Sequence, residues 1–356
     1  MNKKMIAGYC VLGAAAVSTA IFFTLHLSRS RTRDFIYESS SVTDSAQAIS
    51  EAVCESSFVT SYDPLNSVTV EPCGESVSIS GSFSDHVVAE ASLGGDKCAP
   101  TYEDGTFTAQ LSPRSLRSGR HYTLKLEFED GYSYEVHLNY TENGFALTEH
   151  NDILERNIKV TDNPFIIADK AVIQYISADS DPVKVRETLD EIQDISDRIC
   201  DGITDDYDKL RALSEWVSLN IYYDYDASTS SVTIDTIALE SVLETHRTVC
   251  LGYANLYAAL CAAQGIECHV VHGAVIKGNS CFSENETEAV HEWNVAYIDG
   301  RRIWVDTLWN TTNGYISGEY MTGSQKMQYF DIPDELLSCN HRADRCDSRG
   351  YFSAAE

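Results

Sequence analysis

The alternation of apolar and polar positions changes character several times along this chain. Met5 to Leu27 is apolar and, His26 aside, carries no side chain that takes a charge near neutral pH. At 1.5 Å per residue it reaches across a hydrocarbon core of about 30 Å. The pattern predicts an N-terminal single-span transmembrane helix at residues 1–27. A cleaved signal peptide is the rival reading, because Ser18-Thr19-Ala20 offers small residues at a cleavage position. The apolar run continuing through Ile21-Phe22-Phe23 favours the anchor. Residues 28–63 are rich in Ser, Thr and acidic side chains and read as a spacer, with one short helix around Asp44 to Val53.

Period-two alternation follows. It is clear in Ser67–Val70, Ser76–Ser80, Phe107–Leu111, Tyr122–Phe128 and Tyr132–Tyr140, the last two joined by the turn signal Asp130-Gly131. Short strands at this spacing predict an all-β immunoglobulin-like sandwich over residues 64–150, acting as a spacer or binding module. Residues 151–182 read as a connector. Helical spacing then appears in Pro182–Cys200 (apolar at 185, 189, 192, 195 and 199) and in Asp206–Ile221 (Leu210, Leu213, Val217, Ile221). A third helix is predicted from Cys250 to Gln264, stopped by Gly265. Strand-like runs follow at Glu267–Val275, Ala289–Ile298 and Arg301–Thr307, the last two joined by Asp299-Gly300. The C-terminal half is therefore α+β, helices first and an antiparallel sheet after, over residues 183–335. The polar, charged stretch 336–356 reads as a tail.

Composition narrows the function. The chain has 26 Lys+Arg against 54 Asp+Glu, a formal net charge of −28. Lys3, Lys4, Arg29, Arg31 and Arg33 flank the apolar run, so from Asp34 onward the balance is 21 − 54 = −33. Such a surface repels phosphate backbones, and nucleic acid is not an expected partner. The 11 cysteines permit disulfides in an oxidising compartment, and Cys339 and Cys346 are one available pair. With no Cys-x-x-Cys pair and no Cys/His cluster, neither a metal site nor a cofactor is expected. The acidic residues near 201–206 and 224–226 lack calcium-loop spacing and read as solvated faces. Asn139, Asn285 and Asn310 begin glycosylation sequons, which matter only in a glycosylating host.

Candidate chemistry rests on Cys250, His291 and Asp306. A thiol at a helix N-terminus faces the positive dipole end, which favours the nucleophilic thiolate. If Asp299-Gly300 is a two-residue loop, Ile298 pairs with Arg301 and paired numbers sum to 599, so Asp306 falls opposite Trp293. His291 is then a diagonal neighbour on the same face, within reach of the carboxylate that would orient it.

Three ordered blocks resemble one family. Val249-Cys250-Leu251-Gly252-Tyr253-Ala254, continuing to Leu260 and Gly265-Ile266, resembles the nucleophile helix of the transglutaminase-like superfamily. His291-Glu292-Trp293-Asn294 with Asp299-Gly300 resembles its histidine strand and turn, and Val305-Asp306-Thr307-Leu308-Trp309-Asn310 its aspartate strand. Leu308 and Asn310 depart from the usual Thr and Asp. The resemblance implies a papain-like core in which Cys250 is nucleophile, His291 general base and acid, and Asp306 orienter. It implies thiol-dependent acyl transfer or hydrolysis at protein or peptide amides, the acceptor being amine or water. Tyr223 is the candidate side-chain donor to the oxyanion, beside the Cys250 backbone N–H.

Each residue also has a structural reading. Cys250 could be a buried core thiol and His291 a satisfied structural histidine. Trp293, Trp304 and Trp309 read as core or groove wall, His269 and His272 as surface or core positions, and Cys261 as an inward-packed thiol. Two functions stay open: an extracytoplasmic, membrane-anchored cysteine acyltransferase or peptidase, or a non-catalytic surface protein whose cleft binds peptides or wall components. Secretion after signal cleavage, or a cytoplasmic domain on a reversed anchor, are the alternative locations.

Overall fold

The computed structural model describes residues 57–147, 151–276 and 288–352. The expected anchor at 1–27, most of the 28–63 spacer with its short helix, and Asn285 lie outside the described residues. Among the described residues no helix is long and apolar enough to cross a membrane.

The alternating stretch forms β1 (Phe58–Val59), β2 (Asn66–Cys73), β3 (Ser76–Phe83), β4 (Val88–Leu93), β5 (Asp96–Cys98), β6 (Thr101–Glu103), β7 (Thr106–Leu111), β8 (Arg120–Phe128), β9 (Ser133–Thr141) and β10 (Gly144–Ala146). They make two antiparallel sheets, ordered β1-β2-β3-β7-β6 and β10-β9-β8-β4-β5. Alternate residues point inward because a strand's side chains switch face at every position. Val68, Val70, Val77, Ile79, Phe107 and Leu111 from the first sheet share a core with Leu93, Leu124, Leu126, Val136 and Leu138 from the second.

Next come α1 (Asn151–Thr161), β11 (Phe165–Ile166), α2 (Asp169–Ile176), α3 (Pro182–Ile199) and α4 (Asp206–Asn220). The side chain of Asp181 caps α3, with Pro182 at the first helical position, and that of Asp205 caps α4. Then follow β12 (Tyr222–Asp224), α5 (Tyr225–Ser230), α6 (Ile234–Ile237), α7 (Leu239–Thr245), β13 (Arg247–Thr248), α8 (Cys250–Ala263) and β14 (Glu267–Ile276). The chain continues through β15 (Glu288–Ile298), β16 (Arg301–Val305), β17 (Gly314–Ile316), β18 (Glu319–Met321), α9 (Asp334–Leu337) and β19 (His341–Ser348). One sheet is ordered β11-β19-β14-β15-β16, and a smaller one β13-β12-β17-β18.

The larger sheet is covered on both faces, which is why β14 and β15 read as nearly continuous apolar runs. Val270, Ala296, Ile303 and Val305 share a core with α8. The intervening Val271, Trp293, Val295 and Trp304 share one with the β-sandwich.

The structure revises several expectations. The sandwich is no free spacer: besides covering the sheet, its Ser133 N–H donates to Gln325 O at 2.9 Å, and Glu135 pairs with Lys326 at 2.8 Å. The stretch from Leu336 is no loose tail. It holds the end of α9 and all of β19, and β19 pairs with β14 inside the sheet. Its charged side chains are carried by ion pairs, such as Arg156–Asp344 and Arg342–Glu288, each at 2.5 Å, so it shows little apolar alternation. Cys339 and Cys346 are not joined by a disulfide, and Cys339 Sγ donates to Glu335 O at 3.4 Å. Asn310 is buried, its Oδ1 accepting from the Tyr329 N–H at 3.0 Å, so that sequon is not presented to a glycosylating enzyme. Asp224 is buried too. It caps α5 by accepting from the Ala227 N–H at 2.8 Å, and is not a solvated face.

Candidate active site

Cys250 opens α8. Its cap residue, Val249, has an aliphatic side chain and makes no side-chain cap bond, so the positive end of the helix dipole falls at the thiol's own turn. Gly252 lets this helix head sit tight on β13, since a Cβ there would lie 1.8 Å from Thr248 Oγ1. Cys250 is half-buried, while the helix from Leu251 to Cys261 is buried throughout. Asn294 ties β15 to that helix, its Nδ2 donating to Ala254 O at 2.9 Å.

His291 and Asp306 are set by the β15–β16 hairpin. Its register runs from Ile298↔Arg301 to Asn294↔Val305. Asp299 and Gly300 both have positive φ (52° and 76°), as a two-residue hairpin turn of this kind requires. Asp306 follows β16 directly, and its Oδ2 lies 2.6 Å from His291 Nε2. With the Nε2–H donated to the carboxylate, a neutral His291 ring keeps its lone pair on Nδ1.

Asp306 is buried and fully engaged. Its Oδ1 accepts from the Trp309 N–H at 2.9 Å, and its Oδ2 also lies 3.1 Å from His341 Nε2. Burial alone would raise its pKa. The charge and hydrogen bonds of His291 and His341 overcome that, holding the carboxyl well below the usual range. For His341 burial wins instead and pushes its pKa down. Trp293 and Trp309 wall the pair, Trp309 lying 4.6 Å from the His341 ring.

Tyr223 reaches the nucleophile through the smaller sheet, where β12 pairs in parallel with β13 and Tyr223 stands against Thr248. Burial, then the neighbouring Cys250 charge, pushes its phenol far above the ordinary value, so the hydroxyl remains a donor.

Two neighbours of the site, Glu292 and His341, escape the sequence reading, and a third, His272, is read there only as a surface or core position. Glu292 accepts a hydrogen bond from the Cys250 thiol at 2.8 Å. His272, directly opposite Glu292 on β14, lies between Glu292 at 3.5 Å and Asp347 at 2.8 Å. His341 comes from the segment read as a tail. The available signal for Glu292 was strand alternation, which puts it on the face opposite His291, where α8 packs. For His341 there was none.

Part of the chain is similar to known proteins. The family model of the Transglutaminase-like superfamily matches residues 193–307. The chain carries a transglutaminase-like superfamily domain. Kyphoscoliosis peptidase of Mus musculus is 29% identical over 146 residues, 40% of this chain and 21% of that protein. Its Homo sapiens counterpart is 31% identical over 132 residues, 36% and 19% respectively. The chain thus spans about one fifth of the length of these curated relatives. A solved structure of a candidate cysteine protease from Cytophaga hutchinsonii is 14% identical with a TM-score of 0.31, covering 85% of this chain and 84% of that one. The transglutaminase-like match runs from within α3 to Thr307. It takes in Cys250, His291 and Asp306, and leaves the sandwich and β19, with His341 and Asp347, outside.

Proposed function

We propose that the protein is a thiol-dependent enzyme that cleaves or transfers acyl groups at protein or peptide amides, using Cys250, His291 and Asp306. The observation that carries this reading is the 2.6 Å bond from His291 Nε2 to the buried Asp306, on the hairpin that packs against the nucleophile helix. For catalysis the Cys250 thiol must turn from Glu292 to His291 Nδ1, which then takes its proton, and the thiolate attacks the amide carbon. The Cys250 backbone N–H and the Tyr223 hydroxyl are the oxyanion donors. The imidazolium returns its proton to the departing amine, leaving a thioester on Cys250. Water then gives hydrolysis, and an amine gives transamidation. Asp306 fixes the ring and favours the imidazolium formed in between.

The order β2-β3-β7-β6 facing β9-β8-β4-β5 supports an immunoglobulin-like reading of the sandwich, because it matches the two-sheet Greek-key arrangement of that class. An anchored, extracytoplasmic site follows from the apolar run at 1–27 and belongs to the same proposal.

Labelling with a thiol-directed electrophile, read by peptide mass spectrometry, tests the reading. Cys250 is expected to react fast in the wild type and at least about tenfold more slowly in His291→Ala. Cys346, whose thiol burial pushes up to about 12, is the internal control and stays slow in both. Equal, slow labelling of Cys250 in both proteins would instead favour a peptide-binding module.

A further inference from the structure

Glu292 stands where it can govern the nucleophile. A thiol has one hydrogen, and in this structure Cys250 gives it to Glu292 Oε2 at 2.8 Å. A proton directed at Glu292 is not directed at His291. The carboxylate is buried at 8% exposure, so its charge acts on the sulfur with little screening by water. It is also braced. His272 lies across the strand pair at 3.5 Å and is held from behind by Asp347 at 2.8 Å, with Arg349 Nη2 3.4 Å from the same His272 nitrogen. Arg345 pairs with Asp347 at 2.8 Å. A line of contacts thus runs from the sulfur through Glu292 and His272 to Asp347 on β19, apart from the pair His291–Asp306.

We propose that Glu292 restrains Cys250 in the substrate-free enzyme: its carboxylate takes the thiol's hydrogen bond and opposes formation of the thiolate. The inference rests on Cys250 being the nucleophile, as proposed above. It makes two opposed groups set the ionisation of one sulfur, His291 promoting it and Glu292 resisting it. The other groups facing the site do not supply the restraint. Tyr223 on β12 is neutral, held so by burial and by Cys250 itself, and the nearby His291 acts in the opposite sense on Glu292, lowering its pKa. Burial would raise the Glu292 pKa, but His272, then Cys250 and His291, bring it below the ordinary carboxylate value, so the charge is present at neutral pH. When the enzyme acts, the Cys250 S–H turns from Glu292, its proton passes from sulfur to His291 Nδ1, and Glu292 stays ionised throughout.

The test is the pH dependence of Cys250 alkylation in wild type, Glu292→Gln, Glu292→Asp and His291→Ala, with folding followed by circular dichroism. Gln keeps the shape and removes the charge. The midpoint of its profile is expected at lower pH by about one to three units, with labelling one unit below the wild-type midpoint faster by about tenfold or more. Asp draws the charge back by one methylene and should move the midpoint the same way by less. It decides the matter alone if the Gln variant does not fold. A midpoint unmoved, or moved to higher pH, in a folded variant overturns the restraint. If His291→Ala still slows labelling in that case, the nucleophile assignment stands and only the role of Glu292 falls. Slow labelling insensitive to every variant would overturn the assignment itself. A merely structural Glu292 would alter stability without displacing the profile to lower pH.

Discussion

Replacing Asp306 by Asn tests the acid–base reading with a magnitude drawn from the site. The wild-type carboxylate lies 2.6 Å from His291 Nε2 and is 1% exposed, so the bond to an imidazolium there is charge-assisted and little screened by water. Such bonds contribute about 1.5–3 kcal/mol. Asn is isosteric but neutral, and its amide N–H₂, turned to Nε2, would favour the tautomer whose Nδ1 is already protonated. Losing 1.5–3 kcal/mol from the imidazolium–thiolate state lowers the thiolate fraction about 10- to 150-fold at pH below the thiol midpoint. The assay is the pseudo-first-order alkylation of the Cys250 peptide at pH 6, followed by mass spectrometry, with Cys346 as reference. Once a substrate is found, turnover should fall further, on the order of 10³–10⁴-fold, because the base is then in the wrong tautomer. A folded Asp306→Asn protein that alkylates within about twofold of wild type would refute the argument, since His291 would then not be acting through Asp306.

Two further outcomes are expected. Gly273 faces His291 across the β14–β15 ladder, and a Cβ there would lie 2.0 Å from Arg342 O. Gly273→Ala should therefore cost about 1–3 kcal/mol in urea unfolding, and an unchanged midpoint would contradict the close β14–β19 approach. Stability should also fall in acid in two stages. His341 has a depressed pKa in the folded state, so the unfolded chain binds its proton first and stability drops as pH falls below about 6.5. Asp306, Glu292 and Asp347 are likewise depressed, so their contribution is complete above about pH 5 and is lost as pH falls through about 4 and below. Each group can contribute at most about 1.4 kcal/mol per pH unit. A urea midpoint equal at pH 7 and pH 3.5 would oppose both assignments.

Helices α3, α4 and α8 and the β15–β16 hairpin were legible because their signals are local. Apolar residues at 185, 189, 192 and 195 lie on one helix face and are buried, and Asp299-Gly300 fixes a turn length and with it a register. His291 could therefore be matched to Asp306 by counting. Glu292 was passed over because an acidic residue beside a candidate histidine looks solvated until a helix is known to cover its face.

The sequence by itself determined helices α3, α4 and α8, the main alternating strands, the hairpin register and the identity of the three residues with candidate chemistry, because periodicity and turn chemistry act between near neighbours. Only the tertiary structure decided what surrounds them. It brought Glu292 under the thiol, His341 against Asp306 from 35 positions away, and the sandwich onto the back of the sheet. Those contacts join segments far apart in the chain. They follow from burying both faces of one sheet, a condition on the whole fold that no single stretch of residues records.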